Sequence, residues 1–300
     1  MEDLVNRIKV ASNGRLDITL HPTGAIVPSA QEFDGVDLGT LDFGNTAPSY
    51  QMDRGPAAGP FAFIVGGLTG MEYAAWMTVG GGGELAREMY SKTNVHLLDG
   101  WLVTPPEAFL QSTKPLKTVA DIKGLKIRTA GDDGELFARM GAAVVFLPGE
   151  EIYEALQRGV IDAAQLSTPA IDWTFAIQEV ADYMYLSPVR QPTDPTWVFA
   201  NEQSWQKLPD DLKQILDEVT YAQGIRWYQS LLVKDIEAVQ MFKDYGTIIE
   251  PASKEIEDEL MKQAEIFYDE NAAEDAFYAK VIESIRVFRD AVREAWPAGL

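Results

Sequence analysis

The residue best suited to chemistry in this chain is a single arginine at the end of a short apolar segment. The stretch 123–129, Lys-Gly-Leu-Lys-Ile-Arg-Thr, predicts a short strand that ends on Arg128. A guanidinium is always charged and presents a rigid fork of donors, which suits it to bind a carboxylate through two parallel hydrogen bonds. If this strand end lines a cleft, a small organic anion is the expected ligand. An arginine that packs on the surface or between lobes is the alternative.

The composition restricts the partners that this arginine can serve. The 300 residues carry 25 Lys and Arg against 46 Asp and Glu, a net charge of −21. Such a field repels nucleic acid and anionic lipid, so neither is an expected partner, and any anion site must be locally positive. The chain has no cysteine and only two histidines, which disfavours disulfides, zinc sites and a serine triad. No apolar run reaches the ~20 residues of a membrane span.

Short strands alternate with helices early in the chain and give way to long helices later. Leu16–Leu20 predicts a strand, residues 31–36 a short helix, and Thr40–Gly44 another strand. This β-α-β order predicts an α/β fold with much parallel sheet. From Ser204 to about Tyr245, and again over residues 253–295, the spacing of apolar residues predicts helices. Because no flexible linker separates these elements, two lobes would be joined by strands and a helix, as in a hinged clamp.

Five segments of the chain, in this order, are similar to those of one family of receptors. They are Ser12–Ile18, Ala75–Met77 with Gly80–Gly82, Asp121–Arg128, Glu151–Ala163 and Trp205–Leu212. Together they resemble the periplasmic solute receptors of TRAP transporters, the DctP family, nearest to its keto-acid-binding TakP-like branch. The resemblance covers nearly the whole chain.

The resemblance implies an α/β, two-lobed periplasmic-binding-protein fold with mixed sheets, strand hinges and a long inter-lobe helix. Lobe I would comprise residues 1–98 plus about 200–246, and lobe II residues 99–199 plus about 247–275. A C-terminal helix would occupy about residues 276–300, and it could support a homodimer as in some relatives.

The function that the resemblance implies is recognition rather than catalysis. The chain would be an extracytoplasmic solute-binding subunit that captures a small organic acid in the inter-lobe cleft and delivers it to a TRAP membrane permease, with no cofactor. An enzyme or a sensor domain that acts on a similar acid is the alternative. The location would be periplasmic. Because the chain opens with Met1–Leu4 at the family's first helix, without the usual signal sequence and first strand, we expect the sheet of lobe I to lack that strand.

By the same resemblance, Arg128 pairs with the ligand carboxylate. Keto-acid-binding relatives hold a metal ion with the ligand, through a Glu followed by an aromatic residue after an Asp-Ala-Ala segment and through a later Glu. Here the first two positions are Gln165 and Leu166, and the later position is assigned to Trp197. A hard cation requires several anionic oxygens, so we expect no metal and a more apolar acid.

Seven residues form the predicted ligand site. They are Arg128, Gln165, Trp197, Tyr50, Trp76, Leu166 and Glu107. Tyr50 lies in a predicted strand-to-helix loop, where ligand groups often sit in α/β folds, and Glu107 follows two prolines in a predicted hinge. A core position is the alternative for the two tryptophans, and a core or loop amide for Gln165. Asp132 and Asp133 are predicted to cap the helix that follows them.

Overall fold

Two separate β-sheets, each with flanking helices, divide the chain into two lobes. The computed structural model describes residues 1–296. The strands of this part of the chain are β1 (Phe43–Thr46), β2 (Val95–Leu102), β3 (Ala108–Ser112), β4 (Lys126–Arg128), β5 (Ala143–Val145), β6 (Ala163–Ala164), β7 (Tyr183–Leu186), β8 (Thr196–Asn201) and β9 (Ile248–Pro251). The helices are α1 (Glu2–Ala11), α2 (Glu32–Asp37), α3 (Ala58–Ala62), α4 (Gly70–Val79), α5 (Gly82–Met89), α6 (Val119–Ile122), α7 (Asp133–Arg139), α8 (Ile152–Gln157), α9 (Pro169–Thr174), α10 (Glu202–Gln206), α11 (Asp210–Tyr245), α12 (Lys254–Glu274) and α13 (Ala276–Ala295).

The small sheet belongs to lobe I and has the strand order β1-β8-β2, antiparallel throughout. Its central strand, β8, is buried on both faces because successive side chains point to opposite sides of a sheet. Trp197 and Phe199 pack into the largest hydrophobic core. Val198 and Ala200 pack into a second core with residues of α1 and α11. The small sheet is therefore held between two layers of apolar side chains.

The large sheet belongs to lobe II and has the order β5-β4-β6-β3-β7-β9. Strand β4 runs parallel to β5 and β6, β3 runs antiparallel to β6 and β7, and β7 runs parallel to β9. The carboxyl ends of β4, β6 and β7 and the amino end of β3 consequently lie at one edge of the sheet. This edge faces lobe I.

Two extended segments and one helix connect the lobes. Residues 103–107 lead from β2 to β3, and residues 187–195 lead from β7 back to β8. They are joined side by side: the Thr193 hydroxyl donates to the Thr104 carbonyl at 2.9 Å, and the Asp194 amide donates to the Thr104 hydroxyl at 2.8 Å. Helix α11 packs against β2 and α1 in lobe I and against α9 and β9 in lobe II. The predicted two-lobed fold with strand hinges and a long inter-lobe helix is confirmed.

Some predicted elements differ from the structure. Leu16–Leu20 is not a strand, although Leu16 is buried, because no segment of residues 1–296 pairs with its backbone. Strand β8 pairs along its whole length with strands of the small sheet, whereas the predicted lobe boundary divides it. The exact lobe boundaries remain predictions. The last four residues of the predicted C-terminal helix lie outside the described residues.

No helix within residues 1–296 combines the length and the apolar character needed to cross a membrane. Helices α12 and α13 instead pack on each other and bury their apolar faces in the largest core. Asp275 separates them, and its carboxylate caps α13 by accepting a hydrogen bond from the Tyr278 amide at 2.7 Å.

Close approach between α11 and β2 depends on a glycine. A Cβ added at Gly224 would lie 2.5 Å from the Trp101 carbonyl oxygen, which is backbone and cannot rotate away. We expect Gly224→Ala to lower the free energy of unfolding by about 1–3 kcal/mol, since overpacking outweighs the roughly 1 kcal/mol that alanine contributes within a helix. Urea denaturation checks this, with the exposed Ser230→Ala on the same helix as control. Equal midpoints for both variants would contradict the packing argument.

Candidate functional site

The site-facing edge of the large sheet brings together side chains that are far apart in sequence. Arg128 ends β4 and pairs in register with Ala164 of β6, so that Gln165 follows directly beside it. Glu107 precedes β3, and Gln191 follows β7. Because these four strand ends meet at the same edge, Arg128, Gln165, Glu107 and Gln191 form one buried cluster on the side of lobe II that faces lobe I.

Arg128 is almost fully buried but makes no ion pair within residues 1–296. Its Nε donates to the Leu147 carbonyl at 2.8 Å, and its Nη1 donates to the Gln165 carbonyl at 2.6 Å and to Gln165 Oε1 at 3.3 Å. The guanidinium lies 5.8 Å from the centre of the Phe146 ring. Burial lowers the pKa of Arg128, and the neighbouring Tyr50 and Glu107 oppose that shift. A guanidinium nevertheless stays protonated, so the edge carries a positive charge that no carboxylate among the described residues pairs with.

Gln165 connects this arginine to the rest of the cluster. Its Oε1 accepts from the Ala130 amide at 3.1 Å as well as from Arg128. Its Nε2 donates to Glu107 Oε2 at 2.8 Å and, more weakly, to Gln191 Oε1 at 3.3 Å. The amide is thus held in one orientation, with its oxygen toward Arg128 and its nitrogen toward Glu107.

A second arginine, Arg190, lies beneath the cluster and is wholly buried. Its five N–H donors all reach oxygens at 2.7–2.8 Å: Glu107 Oε2, Asp133 Oδ2, Gln191 Oε1 and the carbonyls of Ala108 and Phe109. Burial raises the pKa of Glu107 and of Asp133, and the ion pairs with Arg190 oppose the rise. Buried charges need such pairing and hydrogen bonding to be tolerated. Arg190 therefore neutralises the acidic part of the cluster.

Lobe I closes the other side of the cleft. Tyr50 ends a 3₁₀ turn, Pro48–Tyr50, that follows β1, and 36% of its surface is exposed. The lobes touch nearby, because a Cβ added at Gly59 of α3 would lie 2.2 Å from the Asp132 carboxylate of lobe II. A Cβ added at Gly131 would lie 3.6 Å from the Ser49 side chain. The structure thus has its two lobes in contact around the cluster.

The structure brings some of the predicted site residues together and separates others. Arg128, Gln165 and Glu107 form the hydrogen-bonded cluster, Tyr50 interacts electrostatically with Arg128, and Leu166 is half-buried in the neighbouring apolar cluster of lobe II.

Trp197 and Trp76 lie elsewhere, in the core of lobe I, and neither side chain is exposed. The Trp197 Nε1 donates to the Tyr73 hydroxyl at 3.2 Å, and the Trp76 Nε1 donates to the Ser284 hydroxyl at 3.0 Å. These positions fit the core alternative for both tryptophans.

Sequence reasoning missed Arg190 and Gln191. Trp197 was assigned to the position of the relatives' later Glu. In the structure, the residue that contacts Gln165 is Gln191, not Trp197. Both residues follow β7, Tyr183–Leu186, and the direction of this strand in the sheet cannot be read from the sequence. The prediction that Asp132 and Asp133 cap α7 is wrong, because neither side chain forms a capping hydrogen bond and Asp133 pairs with Arg190 instead.

The cluster does not fit a hard metal cation. Within residues 1–296 no group of three or more His, Cys, Asp and Glu side chains is arranged to hold one. More directly, Gln165 Oε1, Gln191 Oε1 and Glu107 Oε2 already accept hydrogen bonds from the arginines and from Gln165. A cation that used these three oxygens would have to displace their donors; Glu107 Oε1 is a cluster oxygen without a hydrogen-bond partner in the described residues, and alone it cannot satisfy a cation that needs six or more oxygens.

Asp132 lies where the lobes touch, and its protonation makes the stability of the protein depend on pH. Burial, together with the nearby Asp133, raises the pKa of Asp132 to about 7, and its Oδ2 has no hydrogen-bond partner within residues 1–296. Tyr268 of α12 and Tyr278 of α13 also face this carboxylate. The folded protein therefore retains, up to about pH 7, a proton that the unfolded chain loses near pH 4, so this residue's contribution to stability falls as pH rises from about 4 to about 7.

We expect Asp132→Asn to remove this loss. The variant should match the wild type in unfolding free energy near pH 4 and exceed it at pH 8 by about 1–4 kcal/mol, because asparagine has no proton to lose. Urea denaturation at pH 4, 6 and 8 measures the difference, with the exposed Asp182→Asn as control. A gain that is the same at every pH would show that Asp132 does not titrate in this way.

Comparison with known proteins agrees with this architecture. The family model described as "Bacterial extracellular solute-binding protein, family 7" (DctP) matches residues 1–275. A monocarboxylate 2-oxoacid-binding periplasmic protein of Nostoc sp. is 30% identical over 300 residues, which cover 97% of this chain and 80% of the relative.

Two solved TRAP periplasmic solute-binding proteins differ in how well they superpose. The protein from Colwellia psychrerythraea, with bound calcium and pyruvate, is 26% identical and has a TM-score of 0.92 over 98% of this chain and 90% of its own. The protein from Rhodobacter sphaeroides, an apo open structure, is 28% identical but has a TM-score of 0.73 over 96% of this chain and 91% of its own. The lower score against the open form is what lobes in contact would produce. The chain belongs to the DctP family of bacterial extracellular solute-binding proteins, and it is a receptor rather than an enzyme.

Proposed function

We propose that this chain is the periplasmic receptor of a TRAP transporter and that it captures a small organic monocarboxylate between its lobes, without a metal ion. The observation that carries this proposal is Arg128, a buried guanidinium that pairs with no carboxylate in the described part of the chain, residues 1–296. An uncompensated buried charge is costly. A ligand carboxylate bound between the lobes would supply the missing counter-ion.

The charges around Arg128 favour one carboxylate on the ligand rather than several. Arg190 is already paired with Glu107 and Asp133, so Arg128 is the cation of the cluster that remains for a ligand within residues 1–296. Asp194, on the hinge segment, is a further acid, and burial raises its pKa well above the usual value, so it offers no positive charge to a second carboxylate. A second carboxylate on the ligand would face these acidic groups without a partner.

Apolar and aromatic groups beside Arg128 support a ligand with an apolar body. The Phe146 ring lies against the guanidinium, Tyr50 approaches from lobe I, and Leu166 lies beside them on lobe II. Ligand sites of this kind combine apolar walls with a few polar anchors. The Nostoc relative, described as binding monocarboxylate 2-oxoacids, points to the same ligand class.

The remaining partners follow from the family. We propose a periplasmic location and delivery of the ligand to a TRAP membrane permease, as for receptors of this type. A homodimer stays a prediction. The apolar face of α13 is buried in the protein's own core through Val281, Ile282 and Ile285, so a dimer would have to use the outer face, where Val287 is exposed.

Thermal unfolding with a panel of acids tests the ligand class. The panel contains pyruvate, branched and aromatic 2-oxo acids, simple monocarboxylates and dicarboxylates, each with a chelator and with calcium. A ligand at 100 times its Kd adds about 2.7 kcal/mol to stability, which corresponds to a shift of about 4 °C for a chain of this length. We expect monocarboxylates to produce this shift equally in both buffers. No shift with any acid would refute the proposed ligand class.

Arg128→Ala tests the anchor. The variant should lose ligand affinity by about 30-fold or more, because truncation of one member of a buried charge pair costs about 2–5 kcal/mol or more. Isothermal titration calorimetry measures the loss with the acid that gives the largest thermal shift. Arg158→Ala, an exposed arginine after α8, is the matched control and should bind normally. Unchanged affinity in Arg128→Ala would place the carboxylate elsewhere.

A further inference from the structure

We infer that Arg190 is a built-in cation of the ligand site: it occupies the oxygen cage in which a metal ion could otherwise bind, and it thereby positions Gln165 beside Arg128. The inference rests on the proposed function, because it explains how a carboxylate site in this cleft operates without a metal. It assigns Arg190 a positioning role rather than direct contact with the ligand.

The surroundings of Arg190 are those of a coordinated cation. Five oxygens surround its guanidinium at 2.7–2.8 Å: two carboxylate oxygens, one amide oxygen and two backbone carbonyls. Hard cations such as calcium select the same set of donors, six to eight oxygens from carboxylates, amides, carbonyls and water. The side chain is 0% exposed, so water does not share these oxygens.

Arg190 and Gln165 donate hydrogen bonds to the same two acceptor side chains. Glu107 Oε2 accepts from Arg190 Nη2 and from Gln165 Nε2, each at 2.8 Å. Gln191 Oε1 accepts from Arg190 Nη1 at 2.8 Å and from Gln165 Nε2 at 3.3 Å. Both acceptors hold the nitrogen of Gln165, which leaves its oxygen directed at Arg128. Without Arg190, these acceptors would lose their fixed partner and Gln165 its orientation.

Removal of the guanidinium should convert the cluster into a calcium site. Arg190→Ala leaves two carboxylates and three neutral oxygens around a cavity of side-chain size. In chelator the variant should melt about 5–10 °C below the wild type, because a buried ion pair has lost one partner. Millimolar calcium should restore at least half of this loss. Arg190→Lys, which keeps the charge, should show a smaller loss and no response to calcium.

The experiment compares the wild type, Arg190→Ala, Arg190→Lys and the double variant Arg190→Ala with Glu107→Gln, by thermal unfolding and by equilibrium dialysis with calcium alone. The double variant should lose the calcium rescue, since one carboxylate of the cage is gone. Rescue that persists in the double variant, or no rescue of a folded Arg190→Ala protein, would overturn the inference.

If Arg190→Ala does not fold in either buffer, calcium binding to the wild type and to the single variant Glu107→Gln tests the inference. Calcium that binds the wild type and is lost in the single variant Glu107→Gln would show that the cage accepts a metal despite Arg190, and would overturn the inference. Calcium binding that is the same in both proteins, or absent from both, would sustain it. These measurements need no organic ligand, so they stand even if no monocarboxylate binds, and a metal-accepting wild type would leave carboxylate capture by Arg128 intact.

Discussion

A guanidinium that is buried without a carboxylate partner is the constraint on which the rest of this site depends. Arg128 retains three hydrogen bonds to the protein, to the Leu147 carbonyl and to the carbonyl and amide oxygens of Gln165, but no ion pair within residues 1–296. These neutral acceptors orient the guanidinium of Arg128 but do not neutralise its charge. The protein thus maintains a fixed positive charge in a chain whose net charge is −21, and short-range interactions in a desolvated site can outweigh that global field.

Such a charge can be maintained because the acids around it are neutralised by another residue. Arg190 pairs with Glu107 and Asp133, which would otherwise be the nearest counter-ions available to the cluster. The two arginines therefore have different roles: one is saturated and structural, the other is unsaturated and directed at the cleft. Their separation by the Gln165 side chain keeps the roles distinct, because the amide donates to the acidic side and accepts from Arg128.

The closure of the lobes depends on small residues at their contact. Gly59 allows the Asp132 carboxylate to lie directly against α3, and the two extended segments that connect the lobes are held together by hydrogen bonds at Thr104 and Thr193. A ligand that bridges Arg128 of lobe II and Tyr50 of lobe I would favour the arrangement in which these surfaces meet. Ligand affinity and lobe closure are then two descriptions of one equilibrium.

The amino-acid sequence by itself determined the fold class, the strand that ends on Arg128, and the likeness to receptors with two lobes and a long connecting helix. The fold class and the strand follow from apolar periodicity and turn residues, and the likeness rests on five segments in their order; all of these can be read along the chain.

The tertiary structure decided which distant residues meet. Strand direction in the large sheet placed Gln191 rather than Trp197 beside Gln165, and brought Arg190 under Glu107. Sheet order also left Leu16–Leu20 without a strand partner in residues 1–296, and core packing enclosed Trp76 and Trp197. The physical reason is that a hydrogen-bonded ladder or an ion pair is a relation between segments, and the type and spacing of residues within one segment do not specify the segment on the other side.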